Sequence, residues 1–477
     1  MKNLWLPLIL VGELSTLTYA QNYKPVIERC PCLMKVDSRL KTRCGYLVVP
    51  ENRAKPKGNQ VKIPFLFAWQ PLQDSTKNIL LHTAGGPGYA TINAGDSLKY
   101  NSDYFAYGGV VLFDQRGSKN TQPCLDCEGI NEATREAYRK NVNADSLKMI
   151  AITKCREKFI KKGIDLSAYN EVESAADIAD LRTALTIDSM ILLGISYSGG
   201  LMLNVARNHP KGIKALLLNS PLPSYVNYEE HALFNHHEAL EQLFTNVAAD
   251  TVLRTKFPHL KSRFQDYFTK ISGKRFTIKY YDTERKDSIN VEYGKNELLD
   301  AVFYIMNNRW VSTVPQTIDD LVNGKHQVHI TKVLNSKFRG DNSISFGMRL
   351  SLYCSGQIAY SDPLLIKKQD EILPWLAKYP FNSPTHQTCD CWKVKPVAKY
   401  IKEPVYSTIP TLVSQGALDI WTRPHYSHVI KRTMPNAQSI TVLDRTHVAG
   451  FGNGILNQFM TNPYQKVVSS TKNVVVE

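Results

Sequence analysis

A short apolar run that breaks into small residues around a serine constrains the fold of this chain more than any other feature. Residues 191–195 form the run, Ser196 follows it, and residues 201–206 continue the apolar pattern after two glycines. This pattern predicts a strand, a sharp turn and a helix, with Ser196 at the turn. Small residues two positions on either side of such a serine let strand and helix approach, and they leave the hydroxyl accessible. Ser196 is therefore the candidate nucleophile.

The motif departs from the full Gly-x-Ser-x-Gly pattern at its second glycine. Gly194 fills the first glycine position, but Ser198 stands at the second. A shifted register would make Ser198 the nucleophile instead. We favour Ser196, because the apolar run ends in register with Gly194 and a serine side chain is small enough for the second position. A glycine-rich turn of this kind also serves close packing alone, so the interpretation requires partners elsewhere in the chain.

An acid and a histidine follow the serine in the order that an α/β-hydrolase requires. Asp419 comes after one apolar run, and His447 comes after the next. Both loops would open at the same edge of a parallel sheet. We expect His447 to accept the proton of Ser196 and Asp419 to orient the imidazole. Asp444 is the competing acid, but it lies in the loop of the histidine and lacks a strand of its own.

A glycine-rich turn earlier in the chain is the candidate oxyanion loop. Residues 85–88 read Gly-Gly-Pro-Gly directly after a predicted strand. Such a turn exposes backbone N–H groups without side chains in the way. We assign the N–H groups of Gly86 and Tyr197 to the oxyanion that develops during acyl transfer. A tight structural turn is the alternative interpretation.

A further predicted strand leads into Asp114 and Arg116. We interpret this charged turn as scaffold near the site, with the two residues paired to each other or to the oxyanion loop.

Taken together, these motifs resemble the prolyl iminopeptidase and tripeptidyl aminopeptidase group of α/β-hydrolases, which are serine exopeptidases that act at free amino termini. The secreted tripeptidyl branch is the closer one. The chain departs from the family pattern at Ser198, a glycine in most relatives, and at Ala84, where prolyl iminopeptidases commonly carry histidine. The second departure argues against a strict proline iminopeptidase. The likeness rests on residues 85–88, 114–117, 194–197, 416–424 and His447.

The resemblance implies an α/β-hydrolase fold, in which a mostly parallel sheet is flanked by helices and a largely helical cap is inserted before the last strands. The corresponding division of the chain is a signal peptide at 1–20, a first core part at 21–223, a cap at 224–404, a second core part at 405–465 and a tail at 466–477.

Three histidines lie close together on a predicted cap helix, His231, His236 and His237. Neighbouring positions on a helix point in different directions, so we expect these side chains at the surface and expect no metal site and no cofactor.

The resemblance also implies an exported serine aminopeptidase of the tripeptidyl or prolyl type that works through an acyl-enzyme. Its partners would be peptides with a free N-terminus. Relatives bind the substrate's α-ammonium through acidic cap residues, and Glu229 and Glu230 are the nearest acidic pair. Acids in the first turn of a helix are the alternative explanation for this pair, because the helix dipole favours them there.

Two other classes of protein stay open at this stage. A secreted carboxylesterase or lipase would use the same triad and oxyanion loop. An inactive hydrolase-fold binding protein is the non-enzyme alternative, and the intact serine, aspartate and histidine weaken it.

The N-terminus has the features of an export signal. Lys2 precedes the apolar stretch 4–11, and small residues stand at the two positions before Gln21 that signal cleavage favours, Thr18 and Ala20. We therefore expect a periplasmic or secreted protein. The stretch is too short to span a membrane, so we expect no stable membrane insertion.

The cysteines are grouped along the sequence, which favours disulfides in an exported protein. There are 9 of them, so at least one thiol is unpaired within the chain. A zinc site at Cys124 and Cys127 is disfavoured, because no second pair stands at ligand spacing. The predicted pairs are Cys30 or Cys32 with Cys44, Cys124 or Cys127 with Cys155, and Cys354 with Cys389 or Cys391.

The chain carries a formal net charge of +15, from 58 basic and 43 acidic residues. The basic residues are spread along the sequence and form no patch interleaved with aromatic residues. The charge therefore indicates a solvated surface, and nucleic acid is not an expected partner.

Overall fold

The computed structural model describes residues 23–307, 311–382 and 384–477. The predicted signal peptide at 1–20 lies outside the described residues. The strands are β1 (Val26–Arg29), β2 (Lys35–Val36), β3 (Lys41–Pro50), β4 (Gln60–Trp69), β5 (Ile79–Thr83), β6 (Ser97–Leu98), β7 (Val110–Phe113), β8 (Met190–Ile195), β9 (Ile213–Asn219), β10 (Phe276–Asp282), β11 (Asp287–Tyr293), β12 (Thr411–Gly416), β13 (Ala437–Val442) and β14 (Val474–Val476).

A sheet of ten strands organises the described part of the chain, in the order β1, β3, β4, β7, β5, β8, β9, β12, β13, β14. The strands from β7 to β13 run parallel, and antiparallel strands extend both edges. Every residue of β5 and β12 is buried, as expected for parallel strands that helices cover on both faces. The expected α/β-hydrolase architecture is thus confirmed.

Helices cover both faces of this sheet and form most of the insertion between β9 and β12, which we call the cap. Helix α4 follows the nucleophile candidate and is buried along nearly its whole length. The helices are α1 (Gly129–Lys140), α2 (Ala144–Lys161), α3 (Glu171–Ala184), α4 (Tyr197–Asn208), α5 (Ala232–Ala249), α6 (Thr251–Lys256), α7 (Leu260–Lys270), α8 (Lys295–Met306), α9 (Val314–Val322), α10 (Gln327–Arg339), α11 (Phe346–Gly356), α12 (Pro363–Ile372), α13 (His386–Trp392), α14 (His425–Lys431) and α15 (Asn453–Thr461).

The cap has its own hydrophobic core, although two of its helices pack elsewhere. Phe264, Phe268 and Val302 lie at the centre of the cap core, and the hairpin of β10 and β11 contributes to it. Leu350 of α11 and Trp392 of α13 belong instead to the cluster beneath the main sheet. The cap is therefore anchored to the core through α11 and α13, and Arg349 of α11 bonds to the Gly86 carbonyl in the predicted oxyanion loop.

The end of the chain differs from the expected loose tail at 466–477. Residues Val474–Val476 form β14, which pairs with β13 in antiparallel register. Three consecutive valines favour an extended backbone, and the exposed edge of β13 offers the hydrogen-bonding partners.

Three disulfides select among the predicted alternatives: Cys32–Cys44, Cys127–Cys155 and Cys354–Cys389. Cys30, Cys124 and Cys391 remain as thiols. Within the described residues, the helices are all too short or too polar to cross a membrane.

Candidate active site

Ser196 occupies a strained backbone position between β8 and α4. Its φ of 56° and ψ of −123° are unusual for a residue with a side chain. Its N–H donates to the carbonyl of Asn219 at 3.0 Å, and its own carbonyl accepts from Gly199 at 2.9 Å and from Leu222 at 3.0 Å. These three backbone hydrogen bonds, to Asn219, Gly199 and Leu222, stabilise the turn and so compensate for the strained conformation of Ser196. Ser196 itself stays partly accessible.

Ser198, the rival nucleophile, is fully buried. Its hydroxyl oxygen accepts from the N–H of Ile195 at 2.8 Å and lies 2.9 Å from the carbonyl of Thr83. These contacts tie the start of α4 to β5 and to the end of β8. The geometry therefore assigns Ser198 a structural place within the turn and favours Ser196 as the nucleophile.

Asp419 and His447 meet at the carboxyl edge of the sheet, as their order in the sequence predicted. Nδ1 of His447 lies 2.8 Å from Oδ2 of Asp419, and Asp419 is completely buried. Burial on its own raises the pKa of the Asp419 carboxyl. The neighbouring His447 and the N–H groups of Thr422 and Trp421 outweigh this effect and hold the pKa below its usual value. An ionised Asp419 can fix the imidazole tautomer with Nδ1 protonated.

Ser220 connects the three loops that carry these residues, and sequence analysis missed it. It follows Asn219, the residue that anchors Ser196. The Ser220 hydroxyl accepts from the N–H of Val448, next to His447, at 3.0 Å. The Ser220 carbonyl accepts from the hydroxyl of Thr422 at 3.0 Å, and this Thr422 hydroxyl also lies 2.8 Å from Asp419 Oδ2. The polar residues that directly follow β9 were the available sequence signal.

The loop that carries His447 approaches β12 so closely that only glycine fits at the last residue of this strand, Gly416. A Cβ atom at Gly416 would lie 2.2 Å from the carbonyl oxygen of Thr446. The loop is also strained next to the histidine, because Val448 has a φ of 62°. The backbone thus holds His447 over Asp419 from both sides.

The Gly-Gly-Pro-Gly turn lies against the nucleophile. A Cβ atom at Gly85 would lie 3.2 Å from the Cβ of Ser196 and 2.5 Å from the Ile195 carbonyl oxygen. Gly86 has a φ of 115°, which glycine alone adopts readily. Tyr197 is the first residue of α4, where a backbone N–H has no partner within the helix. The loop that carries Gly86 and the first turn of α4 therefore both lie next to Ser196, and the two N–H groups remain the predicted oxyanion donors.

Asp114 and Arg116 do not pair with each other. Asp114 accepts from the N–H groups of Thr91 at 2.6 Å and Ile92 at 3.0 Å, directly after the oxyanion loop. Burial raises the pKa of Asp114 to about 6, although these N–H donors oppose the rise. Arg116 instead forms a bidentate pair with Asp177 at 2.7 Å. Of the predicted scaffold pair, Asp114 supports the oxyanion loop and Arg116 braces the core.

The two acidic residues at the entrance to the cap have different surroundings. Glu229 is only 3% exposed, and its Oε1 accepts from Nδ2 of Asn382 at 3.0 Å. Burial raises the pKa of Glu229 to about 7, because the Asn382 amide and the nearby Arg349 only partly offset the loss of water. Glu230 is more exposed, and its Oε1 accepts from the N–H of Asp362 at 2.8 Å. Glu230 therefore caps the start of α12.

A bridge of two side chains links Glu229 to the oxyanion loop, and sequence analysis missed both of them. Arg349 donates through Nη1 to the Gly86 carbonyl at 3.0 Å and through Nη2 to Oδ1 of Asn382 at 2.8 Å. Asn382 in turn donates to Glu229. Both residues lie more than a hundred positions from Glu229 in the sequence, and no motif marks them.

The predicted surface histidines are not all at the surface. His236 is 1% exposed, its Nδ1 lies 2.7 Å from the Ala232 carbonyl oxygen, and its ring packs edge-on against Phe303 and Trp421. Burial lowers the pKa of His236 to about 4, so the ring is neutral. Within the described residues, no group of three His, Cys, Asp or Glu side chains could hold a metal ion.

Comparison with known proteins supports the class that this fold and geometry indicate. A family model for the alpha/beta hydrolase fold matches residues 109–453, well over half of the chain. The chain therefore belongs to the alpha/beta hydrolase fold family.

More specific likeness is limited in extent. The chain is similar to the serine protease Hip1 of Mycobacterium tuberculosis and to that of Mycobacterium bovis, each 24% identical over 218 residues. The matched stretch covers 43% of this chain and 41% of each relative, so the similarity spans about two fifths of their length. Among solved structures, a proline iminopeptidase of Mycobacterium smegmatis is 12% identical, with 88% of this chain and 98% of that chain covered and a TM-score of 0.37. A probable hydrolytic enzyme from Pseudomonas aeruginosa gives 12% identity, coverage of 88% and 94%, and a TM-score of 0.37.

Proposed function

We propose that this protein is an exported serine aminopeptidase that hydrolyses amide bonds near the free N-terminus of peptides, of the tripeptidyl or prolyl type. Ser196 would attack the carbonyl carbon, and His447, held by Asp419, would accept the hydroxyl proton and return it to the leaving amine. The N–H groups of Gly86 and Tyr197 would stabilise the oxyanion. Water would then release the acyl group from Ser196 by the same route.

The observation that carries this proposal is the buried carboxylate of Glu229. It has no cationic side chain within ion-pair distance among the described residues, although it is linked through Asn382 and Arg349 to the oxyanion loop. A buried carboxylate is costly unless a cation pairs with it. The α-ammonium of a peptide would supply that cation next to the reacting bond. We therefore assign amine binding to Glu229 alone and the capping of α12 to Glu230.

The decisive experiment compares a tripeptidyl aryl-amide with its N-acetylated twin. We expect the free amine to be cleaved with a kcat/KM more than about tenfold higher, because acetylation removes a charge-assisted contact. Glu229→Gln should abolish this preference. Glu230→Gln is the matched control and should keep it.

Other outcomes of the same experiment separate the alternative functions. Equal rates on blocked and free peptides, with rapid hydrolysis of a short-chain aryl ester, would reject the aminopeptidase in favour of an esterase. A serine-directed phosphonate should label Ser196, and peptide mapping that places the adduct on Ser198 would reverse the assignment of the nucleophile. The absence of both labelling and turnover would support an inactive binding protein.

The export part of the proposal is supported by the three disulfides, which persist in oxidising compartments. N-terminal sequencing of the protein recovered from cells should give a chain that begins near Gln21. Recovery of the uncleaved chain with nine reduced thiols would contradict export.

A further inference from the structure

A cavity of about 630 Å³ lies between the cap and the helices α1 and α2. A second cavity, of about 590 Å³, shares part of its wall, namely Tyr304, Ser336, Lys337 and Arg339. We call the two together the cap–core cavity. Each part has the volume of a typical small-molecule site.

On two sides, the wall of the cap–core cavity includes residues that support the candidate active site. On one side its wall includes Arg349, which donates to the carbonyl of Gly86 in the oxyanion loop. On the other side its wall includes Trp421, whose backbone N–H donates to Oδ1 of Asp419 at 2.8 Å. The cavity is therefore next to residues that position the oxyanion loop and Asp419.

Positive charge dominates the wall of the cavity. The acidic side chains there, Asp300 and Asp341, already have partners. Asp300 pairs with Lys337 at 2.9 Å and accepts from the hydroxyl of Tyr379, and Asp341 accepts from the hydroxyl of Tyr89 at 2.8 Å. The cationic side chains of the wall are Lys148, Lys332, Lys337, Arg339 and Arg349.

Arg339 and Lys148 are among the cations of this wall that lack a close anionic partner. Arg339, at the end of α10, makes no ion pair or side-chain hydrogen bond with any residue in the described part of the chain. Lys148 comes no closer than 3.9 Å to a carboxylate, that of Asp145. Burial and the like charge of Lys337 lower the pKa of Lys148. Arg339 is exposed and Lys148 is partly buried. Cations gathered in one wall repel one another, and a bound anion relieves that repulsion.

We propose that the cap–core cavity binds a carboxylate of the peptide substrate through Arg339 and Lys148. This inference rests on the proposed aminopeptidase function, in which Glu229 holds the amino terminus. The carboxylate would belong to a later part of the same peptide, either its C-terminus or an acidic side chain. Recognition of both charges would select short or acidic peptides, because opposite charges at the two sites fix the orientation of the substrate.

The test compares peptides that differ in one negative charge. Binding to the full-length Ser196→Ala protein is measured for tetra-alanine as the free acid and as the C-terminal amide. A second pair carries glutamate or glutamine at the fourth position with an amidated C-terminus. We expect the charged member of at least one pair to bind about fivefold to tenfold more tightly at low salt, with the difference shrinking at high salt. The pair that shows the difference identifies the source of the carboxylate.

Variants then locate the effect. In the Ser196→Ala background, Arg339→Gln and Lys148→Gln should each reduce the ratio between charged and neutral peptides toward one. Lys154→Gln, which removes an exposed lysine from the same helix as Lys148, should keep the ratio. Equal binding within both pairs, or a ratio unchanged by both cavity variants, would overturn the proposal.

Turnover by the wild-type protein distinguishes this inference from the proposed function. A charge-dependent binding ratio without cleavage of any peptide would reject the aminopeptidase and leave the carboxylate site standing. Cleavage of free-amine peptides without a charge-dependent ratio would leave the aminopeptidase standing and reject the carboxylate site.

Discussion

Two buried charged regions of the molecule are built on opposite principles. The first, which we call the ion cluster, saturates its charges: Arg116 alone binds Asp177 through two nitrogens and donates to the carbonyls of Glu51 and Ala168. The second is Glu229, whose carboxylate accepts a hydrogen bond from a neutral amide, that of Asn382. The ion cluster consists of Arg53, Arg116, Glu173, Asp177 and Asp180.

The ionisation of the carboxylates reflects this difference. Burial raises the pKa of Asp177, but Arg116 and Arg53 outweigh it and the net pKa is lowered. Burial also raises the pKa of Glu229, and there the rise persists to about 7. Removing one partner from a saturated cluster destabilises the fold, whereas an unsaturated carboxylate costs stability and gains a partner only when a ligand arrives. The comparison thus separates a structural charge from a binding charge.

Replacing Arg116, at the centre of the ion cluster, should change the free energy of unfolding more than any other substitution considered. We expect Arg116→Met to lower the free energy of unfolding by about 3–5 kcal/mol, because it leaves Asp177 buried with one cation fewer. Arg53→Met should cost less, because the side chain of Arg53 is 16% exposed and water can partly replace it. Urea denaturation measures both, with Arg432→Met as an exposed control. Equal losses for the two cluster variants would contradict the assignment of Arg116 as the centre.

Replacing Glu229 should change the free energy of unfolding in the opposite direction, toward higher stability. The pKa of Glu229 is about 7 in the folded protein and near 4.5 in the unfolded chain, so the folded state holds the proton more tightly. The resulting stability is present below pH 4.5 and is lost as the pH rises through about 7. Glu229→Gln should therefore raise the free energy of unfolding at pH 8 by about 1–3 kcal/mol relative to wild type.

At pH 5 the gain should shrink to a small part of its value at pH 8, because most of the stability is lost between pH 5 and pH 7. Urea denaturation at the two pH values measures the difference. A variant less stable than wild type at pH 8 would show that the fold compensates the ionised carboxylate, and it would remove the contrast with the ion cluster.

The smallest effect concerns the pH dependence of substrate choice. Binding of a substrate ammonium requires ionised Glu229, so the preference for a free-amine peptide over its acetylated twin should fall as the pH drops below about 7. It should also fall above about pH 8, where the substrate amine loses its proton. The ratio of the two kcat/KM values cancels the titration of the triad, which both substrates share. A ratio that stays constant from pH 5 to 8 would exclude Glu229 as the amine-binding group.

The sequence determined the framework of the protein because the relevant signals are local. Runs of apolar residues followed by Ser196, Asp419 and His447 predicted parallel strands with functional loops at one edge, and the family match and the sheet confirm that fold. Parallel topology then places such loops together without further information, since all strands end at the same edge. The cysteine grouping limited the disulfides to a few alternatives for the same reason.

Only the tertiary structure decided how the charges beside this framework are used. Glu229 and Glu230 are neighbours in one turn of 3-10 helix, and sequence patterns treat them alike. Packing directs Glu229 toward Asn382 and Arg349 and directs Glu230 toward the start of α12, through partners more than a hundred residues away. The cap–core cavity arises in the same way, from helices that are distant in the chain. Burial and the supply of compensating charge depend on such distant neighbours, which is why they cannot be read from local sequence.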